Sequence, residues 1–294
     1  MILVLGATGY VGSAVCRVLQ SAAVMTLKLR NDDFDEQEFI RTLLFNKVDV
    51  VINCAGYTGK PNVDACEQLD QKQPCLEANA FLPARISRIC SQLYIKMVHV
   101  SSGCIYTSNA CDLALPPDVE YTEQHLPNFG YMNNTSSWYS RTKALGEKLI
   151  DDQAIVLRLR IPFDDAVSDR NYLCKLRNYD VLYNATNSFS QLQEFAHGVS
   201  YAALENVPAG IYNLTQPGYM TTMQVVEMMR KYNIISGNKL FFKNKEDFNK
   251  AVKAPRSNCV LDSTKALRAG FKLTPIEDAM QLAIDRLAYN LTKP

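Results

Sequence analysis

Tyr139 and Lys143 are separated by three residues, a spacing that can support acid–base chemistry. Positions i and i+4 share a face of an α-helix, so the Lys143 ammonium can lie beside the Tyr139 phenol. A neighbouring positive charge lowers the pKa of a phenol from its ordinary value of about 10. Such a tyrosine can donate a proton to a carbonyl oxygen as hydride reaches the carbon. The same spacing also occurs on solvated helix faces, so the pair alone does not establish a site.

A hydroxyl group closes the apolar run Val98-His99-Val100-Ser101-Ser102. If this run is a strand, Ser102 lies at its carboxyl end, where side chains of α/β proteins meet their ligands. We therefore expect Ser102 to hydrogen-bond the carbonyl group that Tyr139 protonates.

A glycine-rich loop stands at the start of the chain, between an apolar run and a helical pattern. Glycines allow a tight turn and a close approach to a pyrophosphate, which the free N–H groups of the next helix can bind. A plain strand–turn–helix corner is the alternative. The predicted dinucleotide contacts in this loop are Gly6, Thr8, Gly9, Tyr10, Val11 and Gly12.

The residue after the second strand selects between NAD and NADP, because an acid there binds the ribose hydroxyl and an arginine binds the extra phosphate. Arg30 stands at this position and predicts NADP(H). Asp32 and Asp33 follow shortly after, so NAD stays open as an alternative.

Strand and helix patterns alternate through the first half of the chain, which predicts a parallel, doubly wound α/β sheet of the Rossmann type. The predicted strands are Ile2–Leu5, Val24–Leu29, Val48–Asn53, Met97–Ser101 and Ile155–Arg160. The predicted helices are Gly12–Gln20, Glu36–Phe45, Ala78–Leu93, Trp138–Asp151, Thr221–Tyr232 and Ile276–Leu287. We expect a cofactor-binding domain over residues 1–160. Residues 161–294 should form a smaller mixed substrate domain, with some segments returning to the main sheet.

The net charge, the cysteine spacing and the length of the apolar runs argue against several classes of partner. A formal net charge of +1 over 294 residues gives no field for nucleic acid or a membrane surface. The nine cysteines include no C-x-x-C pair, which favours reduced thiols and no zinc or other metal site. With no apolar run near the roughly 18 residues of a membrane span, and no evident signal peptide, we expect a cytoplasmic protein, in the host cytoplasm if its source is a virus.

Together these motifs resemble the extended short-chain dehydrogenase/reductase family, in which a serine or threonine, a tyrosine and a lysine form the reductase triad. Asn53-Cys54-Ala55-Gly56 also fits, and the resemblance adds Asn53, Ala55 and Gly56 to the cofactor contacts. Further blocks resemble plant-type UDP-4-keto-6-deoxyglucose 3,5-epimerase/4-reductases and, more distantly, dTDP-4-dehydrorhamnose reductases. These blocks are residues 58–67, 103–105, 127–129, 157–162 and 254–258.

The resemblance implies a second chemistry, epimerisation at C3 and C5 before reduction at C4. Related bifunctional enzymes carry a cysteine two residues after the triad serine, the place of Cys104 here. The segment Arg170-Asn171-Tyr172-Leu173-Cys174-Lys175 similarly implies that Lys175 is the second acid–base group. A small buried side chain is the alternative role of Cys104, and a solvated surface group that of Lys175.

The resemblance also implies a UDP-4-keto-6-deoxy sugar as substrate, with Thr58, Asn79, Asn171 and Arg256 among its contacts. A guanidinium such as that of Arg256 matches diphosphate oxygens, although a surface ion pair is the alternative. A separate NAD-dependent 4,6-dehydratase would supply the substrate, and a homodimer is common in this family. Two other functions stay open: a pure 4-reductase of the dTDP-4-dehydrorhamnose type, and a non-catalytic regulatory subunit with the same fold.

Overall fold

A computed structural model describes residues 1–20, 24–27 and 34–292 of the 294-residue chain. Its strands are β1 Ile2–Leu5, β2 Val24–Leu27, β3 Val50–Asn53, β4 Lys96–Ser102, β5 Glu120–Tyr121, β6 Ile155–Leu159, β7 Pro162–Phe163, β8 Val181–Leu182, β9 Thr186–Asn187, β10 Ser190–Gln191, β11 Gly210–Asn213, β12 Met220–Thr221, β13 Leu240–Phe241 and β14 Val260–Leu261. Its helices are α1 Tyr10–Val18, α2 Glu36–Phe45, α3 Leu69–Leu76, α4 Leu82–Gln92, α5 Asn109–Asp112, α6 Trp138–Leu149, α7 Tyr172–Asn178, α8 Leu192–Leu204, α9 Thr222–Lys231, α10 Lys245–Ala251, α11 Thr264–Arg268 and α12 Ile276–Thr292.

The main sheet has six strands in the order β11-β6-β4-β3-β1-β2, and all of its pairings are parallel. The predicted doubly wound α/β sheet is therefore confirmed. The chain order reverses between β1 and β3, and such a reversal leaves a crevice at the carboxyl ends of the strands. The glycine loop and the Asn53–Gly56 segment follow these two strands, so both flank the crevice.

Helices cover both faces of this sheet. One buried cluster joins β1, β3, β4 and β6 to α1 and α8. A second joins the opposite face to α2 and α4. β1 and β3 are apolar along almost their whole length because both faces of the sheet are covered.

Residues after 160 contribute to the main sheet as well as to a separate core. β11 adds the edge strand beside β6, and α8 packs against α1. A third buried cluster forms around α7, α9 and α12, away from the main sheet. The division into a cofactor domain and a substrate domain stays a prediction.

The predicted helix Ala78–Leu93 differs from the one observed. A π-helical turn, Glu77–Phe81, joins α3 to α4, and Pro83 lies in the first turn of α4. Proline has no N–H group, so the regular i to i−4 ladder cannot pass through this position. The wider turn carries Asn79, whose side chain is fully buried.

Candidate active site

Helix α6 presents Tyr139 and Lys143 to the carboxyl end of the sheet. Ser137 caps the helix, since its Oγ accepts a hydrogen bond from the Ser140 N–H at 3.2 Å. Gly146 lets the helix approach the π-helical turn closely, because a Cβ there would lie 2.1 Å from the Asn79 carbonyl oxygen. The Ser137 cap and the close contact at Gly146 together fix the position of this helix.

Ser102 ends β4, and its side chain lies close enough to Tyr139 to act on the pKa of that phenol. Burial, and then the nearby Cys104, raise the pKa of Tyr139, while Ser102 acts in the opposite direction. The sequence-based expectation of a lowered pKa for this phenol was therefore wrong, because it ignored burial. A raised value keeps the phenol protonated at neutral pH, which is the form that donates a proton.

Lys143 lies beside the backbone that follows β3. A Cβ added to Gly56 would lie 3.1 Å from Lys143 Nζ and 3.2 Å from Asn79 Oδ1, so only glycine fits here without displacement. Burial lowers the pKa of Lys143 to about 8, although the Glu147 carboxylate acts to raise it.

The loops after β1 and β3 fit a dinucleotide. Gly6 has φ +73°, and a Cβ there would lie 2.6 Å from the Ala55 nitrogen. A Cβ on Gly12 would lie 2.2 Å from the Gly6 carbonyl oxygen. Thr8 and Gly9 are exposed at the tip of the loop. Helix α1 has no capping side chain and no acid in its first turn among the described residues, so its N–H groups and dipole can meet a pyrophosphate.

Asn53 stiffens the second of these loops. Its Oδ1 accepts a hydrogen bond from the Ala55 N–H at 3.0 Å, and its Nδ2 lies 3.2 Å from His99 Nδ1. His99 is fully buried within the sheet, where burial lowers its pKa. Tyr10 lies at the start of α1 beside Val11, and its buried hydroxyl has no hydrogen-bond partner in the part of the chain that is described. Arg30, the predicted contact of the extra phosphate, lies outside the described residues.

Cys104 lies two residues after Ser102, and its N–H donates to Ser102 Oγ at 3.2 Å. Its thiol is partly exposed, and Arg160 Nη1 donates a hydrogen bond to its sulphur at 3.0 Å. The cysteine is therefore neither a packed core residue nor a free surface thiol.

A cavity of about 530 Å³ opens next to Gly56. It is lined by residues 56–60 together with Ala65, Gln68, Gln71 and Arg170. Arg170 Nη1 donates to Thr58 Oγ1 at 3.0 Å. Burial, and then the charges of Arg170 and Arg256, lower the pKa of Lys175. Lys175 is thus a half-buried amine at the edge of a positively charged wall, rather than a solvated surface group.

Like Thr58, the other three predicted substrate contacts are engaged within the protein. Arg256 Nη1 donates to Asp64 Oδ1 at 2.8 Å and to the Ala254 carbonyl oxygen at 2.6 Å. Although burial by itself raises it, the bond from Arg256 holds the pKa of Asp64 below its ordinary value. The Tyr57 N–H donates to Asn79 Oδ1 at 2.8 Å, and Asn79 Nδ2 donates to the Tyr57 carbonyl oxygen at 2.9 Å.

Asn171 is fully buried and caps α7. Its Nδ2 donates to the carbonyl oxygens of Asp164 and Ala166, and its Oδ1 accepts from the Leu173 N–H. These bonds position the loop that leads to Lys175. The binding roles of Thr58, Asn79, Asn171 and Arg256 toward a substrate stay predictions.

Arg160 and Arg170 are the two site residues that sequence reasoning did not assign. Both residues lie in sequence segments that carry the family resemblance, so their residue types were known before the structure was. Their partners, Cys104 and Thr58, lie 56 and 112 residues away in the chain, and local spacing gives no signal for such contacts.

The described residues contain no cluster of three or more His, Cys, Asp or Glu side chains that could hold a metal ion. Among the helices in the same part of the chain, none is long and apolar enough to cross a bilayer.

Two plant proteins resemble this chain in sequence. A bifunctional dTDP-4-dehydrorhamnose 3,5-epimerase/dTDP-4-dehydrorhamnose reductase of Arabidopsis thaliana is 29% identical over 95% of this chain and 90% of its own length. A trifunctional UDP-glucose 4,6-dehydratase/UDP-4-keto-6-deoxy-D-glucose 3,5-epimerase/UDP-4-keto-L-rhamnose-reductase of the same plant is also 29% identical over 95% of this chain, which spans 41% of that longer protein. These matches confirm the resemblance inferred from the motifs.

Solved structures share the fold. The L780 UDP-rhamnose synthase of Acanthamoeba polyphaga mimivirus has a TM-score of 0.85 at 22% identity, covering 97% of this chain and 98% of that one. A dTDP-4-dehydrorhamnose reductase of Bacillus anthracis in complex with NADP has a TM-score of 0.75 at 14% identity, covering 98% and 97%. The family model of the RmlD substrate binding domain matches residues 1–289. Because this match extends over nearly the whole chain, the protein belongs to the RmlD substrate-binding domain family.

Proposed function

We propose that this protein is an NADPH-dependent 3,5-epimerase/4-reductase that converts UDP-4-keto-6-deoxy-D-glucose to UDP-L-rhamnose. One observation carries the proposal: a proton donor and a thiol share a single site. Tyr139 lies close enough to Ser102 for the serine to act on its pKa, and the Cys104 N–H donates a hydrogen bond to Ser102 Oγ. The names of the plant and viral relatives support this choice of reaction.

In the reductase reaction, the bound cofactor supplies the hydride that C4 of the ketone accepts. Tyr139, protonated at neutral pH, gives its proton to the carbonyl oxygen, and Ser102 hydrogen-bonds the same oxygen. The Lys143 ammonium beside Gly56 supplies positive charge next to this proton donor. General acid catalysis of this kind contributes about 10²–10⁴-fold to a rate.

Epimerisation uses the same ketone. Protons on C3 and C5 are acidic because the electrons they leave behind are delocalised onto the C4 oxygen as an enolate. Each inversion removes a proton on one face of the ring and returns one on the other, with no net oxidation. Cys104 and Lys175 are the proposed acid–base groups, and the hydroxyls of Ser102 and Tyr139 stabilise the enolate oxygen.

The charges around the cavity favour an anionic substrate. Arg170 lines it, and Arg256 and Lys175 lie close enough to act on one another electrostatically. A nucleoside diphosphate carries the complementary charge, and Thr58 in the cavity wall offers a hydroxyl to the sugar. Asn79 and Asn171 hold the two loops on which these groups stand.

The proposed cofactor is NADP(H). The glycine loop and the open end of α1 suit either nicotinamide dinucleotide, and Arg30 favours the form with the extra phosphate. The Bacillus anthracis reductase of the same fold carries NADP. A kcat/KM for NADPH no higher than that for NADH would count against this choice.

The test is the reaction of UDP-4-keto-6-deoxyglucose with NADPH in heavy water, followed by NMR and mass spectrometry of the product. The unmodified protein should give rhamnose deuterated at C3 and C5. Cys104→Ala should abolish this labelling, and Lys175→Ala should weaken it or restrict it to one carbon. Cys174→Ala, which alters a buried neighbour of Lys175, is the matched control and should label normally.

The same experiment separates the alternatives. A pure 4-reductase would oxidise NADPH and leave C3 and C5 unlabelled, and a regulatory subunit would not oxidise NADPH. Competition among UDP, dTDP and GDP forms of the 4-keto sugar identifies the base, for which we expect UDP. A 4,6-dehydratase reaction must supply the substrate. The homodimer and the cytoplasmic location stay predictions.

A further inference from the structure

Arg158 and Arg160 are two arginines near the end of β6, both almost completely buried. The Arg158 guanidinium is neutralised by Glu147, which it meets through Nη2 at 2.8 Å and Nε at 3.1 Å. In contrast, no carboxylate within the described residues lies in salt-bridge distance of Arg160. A buried charge without an opposite charge is strongly destabilising. A nearby anion would therefore stabilise the buried Arg160 guanidinium.

The contacts of Arg160 show where that anion can form. Nη2 donates to Asn187 Oδ1 at 2.5 Å and to the Ser257 carbonyl oxygen at 2.7 Å, and both of these acceptors stay neutral. Nη1 donates to Ser257 Oγ at 3.1 Å and to Cys104 Sγ at 3.0 Å. Of these four acceptors, only the Cys104 sulphur can become negatively charged near neutral pH.

We propose that Arg160 is the positioning residue that holds Cys104 in its thiolate form and aims it at the substrate. The thiolate, not the thiol, is the form that can remove a proton. Asn187 and Ser257 fix the guanidinium so that one N–H always points at the sulphur. The inference rests on the proposed function for the use of this thiolate, while the charge state itself is a property of the protein without substrate.

Other groups also face Cys104. Tyr139 and Lys143 act on it from α6, and the buried thiol of Cys259 acts on it from the segment before β14. Tyr139 and Cys259 are neutral at pH 7 because burial raises the pKa of each. Lys143 is therefore a competing source of positive charge beside Cys104.

The test is the pH profile of Cys104 alkylation by iodoacetamide on the full chain without substrate, read by mass spectrometry of its peptide. In the native protein, the half-maximal rate should occur at least about one pH unit below that of the same cysteine in urea-unfolded chain, since a nearby arginine can lower the thiol midpoint below about 7.5. Cys16, a partly exposed thiol near Arg17, is the internal reference. Equal midpoints for native and unfolded Cys104 would overturn the proposal.

Two variants assign the effect to Arg160. Arg160→Gln should move the native midpoint up by about one pH unit, and Arg160→Lys, which keeps the charge, should restore part of the shift. If Arg160→Gln does not fold, Lys143→Met decides: a low midpoint that survives this change supports Arg160. A midpoint that rises fully in Lys143→Met would assign the effect to the lysine and overturn the proposal.

Deuterium labelling keeps this inference distinct from the proposed function. In Arg160→Gln, the ratio of C3 and C5 labelling to ketone reduction should fall at least tenfold. One outcome is a pH profile of alkylation that depends on Arg160 while Cys104→Ala still gives labelled product. That result would support a thiolate held by Arg160 and would contradict the epimerase role of Cys104. If labelling needs Cys104 but its profile is unshifted, the epimerase role stands and Arg160 is only a packing residue.

Discussion

Lys143 is proposed to assist the reaction, yet its buried charge lowers the free energy of unfolding. The proposed reaction uses its ammonium beside Tyr139, yet burial lowers the pKa of Lys143 to about 8 from an ordinary 10.5. A lysine whose folded-state pKa lies below its unfolded value destabilises the fold at every pH below the folded value. This destabilisation disappears as pH rises from about 8 toward the unfolded pKa.

Lys143→Met should therefore raise the free energy of unfolding at pH 7, without cofactor, by up to about 3 kcal/mol, while ketone reduction is lost. The gain should shrink between pH 8 and pH 10.5. Urea denaturation at pH 7 and pH 10 measures both effects, with the exposed Lys148→Met on the same helix as control. A variant less stable than the parent at pH 7 would show that Lys143 holds the structure instead.

At the scale of elements, α6 and the π-helical turn form a contact on which the site geometry depends. Gly146 faces the Asn79 carbonyl, and an added methyl group would lie 2.1 Å from that oxygen. Glycine to alanine in a helix ordinarily stabilises by about 1 kcal/mol. Here the two elements would have to separate, which would shift Asn79 and the Tyr57 backbone that it holds.

We expect Gly146→Ala to lower the free energy of unfolding by about 1–3 kcal/mol, the range for overpacking a tight core. Reduction should fall with it, since Lys143 lies one turn earlier on the helix. Chemical denaturation and steady-state kinetics test this, and Lys148→Ala on the exposed face should change neither by much. A Gly146→Ala protein as stable and active as the parent would mean that the contact is not tight.

In the whole molecule, the sheet that carries the glycine loop depends on segments from beyond residue 160. β11 pairs with β6, and the buried cluster under α1 includes Phe195 and Val199 of α8 and Leu214 after β11. Removing these segments would expose apolar surface, and each Å² exposed would lower the free energy of unfolding by about 25 cal/mol.

A fragment of residues 1–160 should therefore lack a cooperative thermal transition and should not bind NADPH. Circular dichroism and cofactor titration, beside the full chain under the same conditions, make the comparison. Cooperative unfolding of the fragment would support a cofactor domain that folds on its own.

Local spacing along the chain was enough to predict several parts of the structure. Alternating apolar and helical patterns predicted the parallel sheet, because side-chain period follows backbone geometry. Observed strand and helix ends in the first half mostly lie within two residues of those predicted. The glycine loop, Ser102 and the Tyr139–Lys143 pair were likewise visible, since each needs only a few neighbouring residues and its place beside a strand or on a helix.

The remaining properties depend on burial and on contacts between distant residues, so they became visible in the folded chain. Burial reverses the direction expected for the pKa of Tyr139. Packing brings Arg160 to Cys104 across 56 residues and Asp64 to Arg256 across 192. Charge and hydrogen-bonding capacity belong to the residue type, but the partner that satisfies them is chosen by the fold, because desolvation and distance set the energy of each interaction.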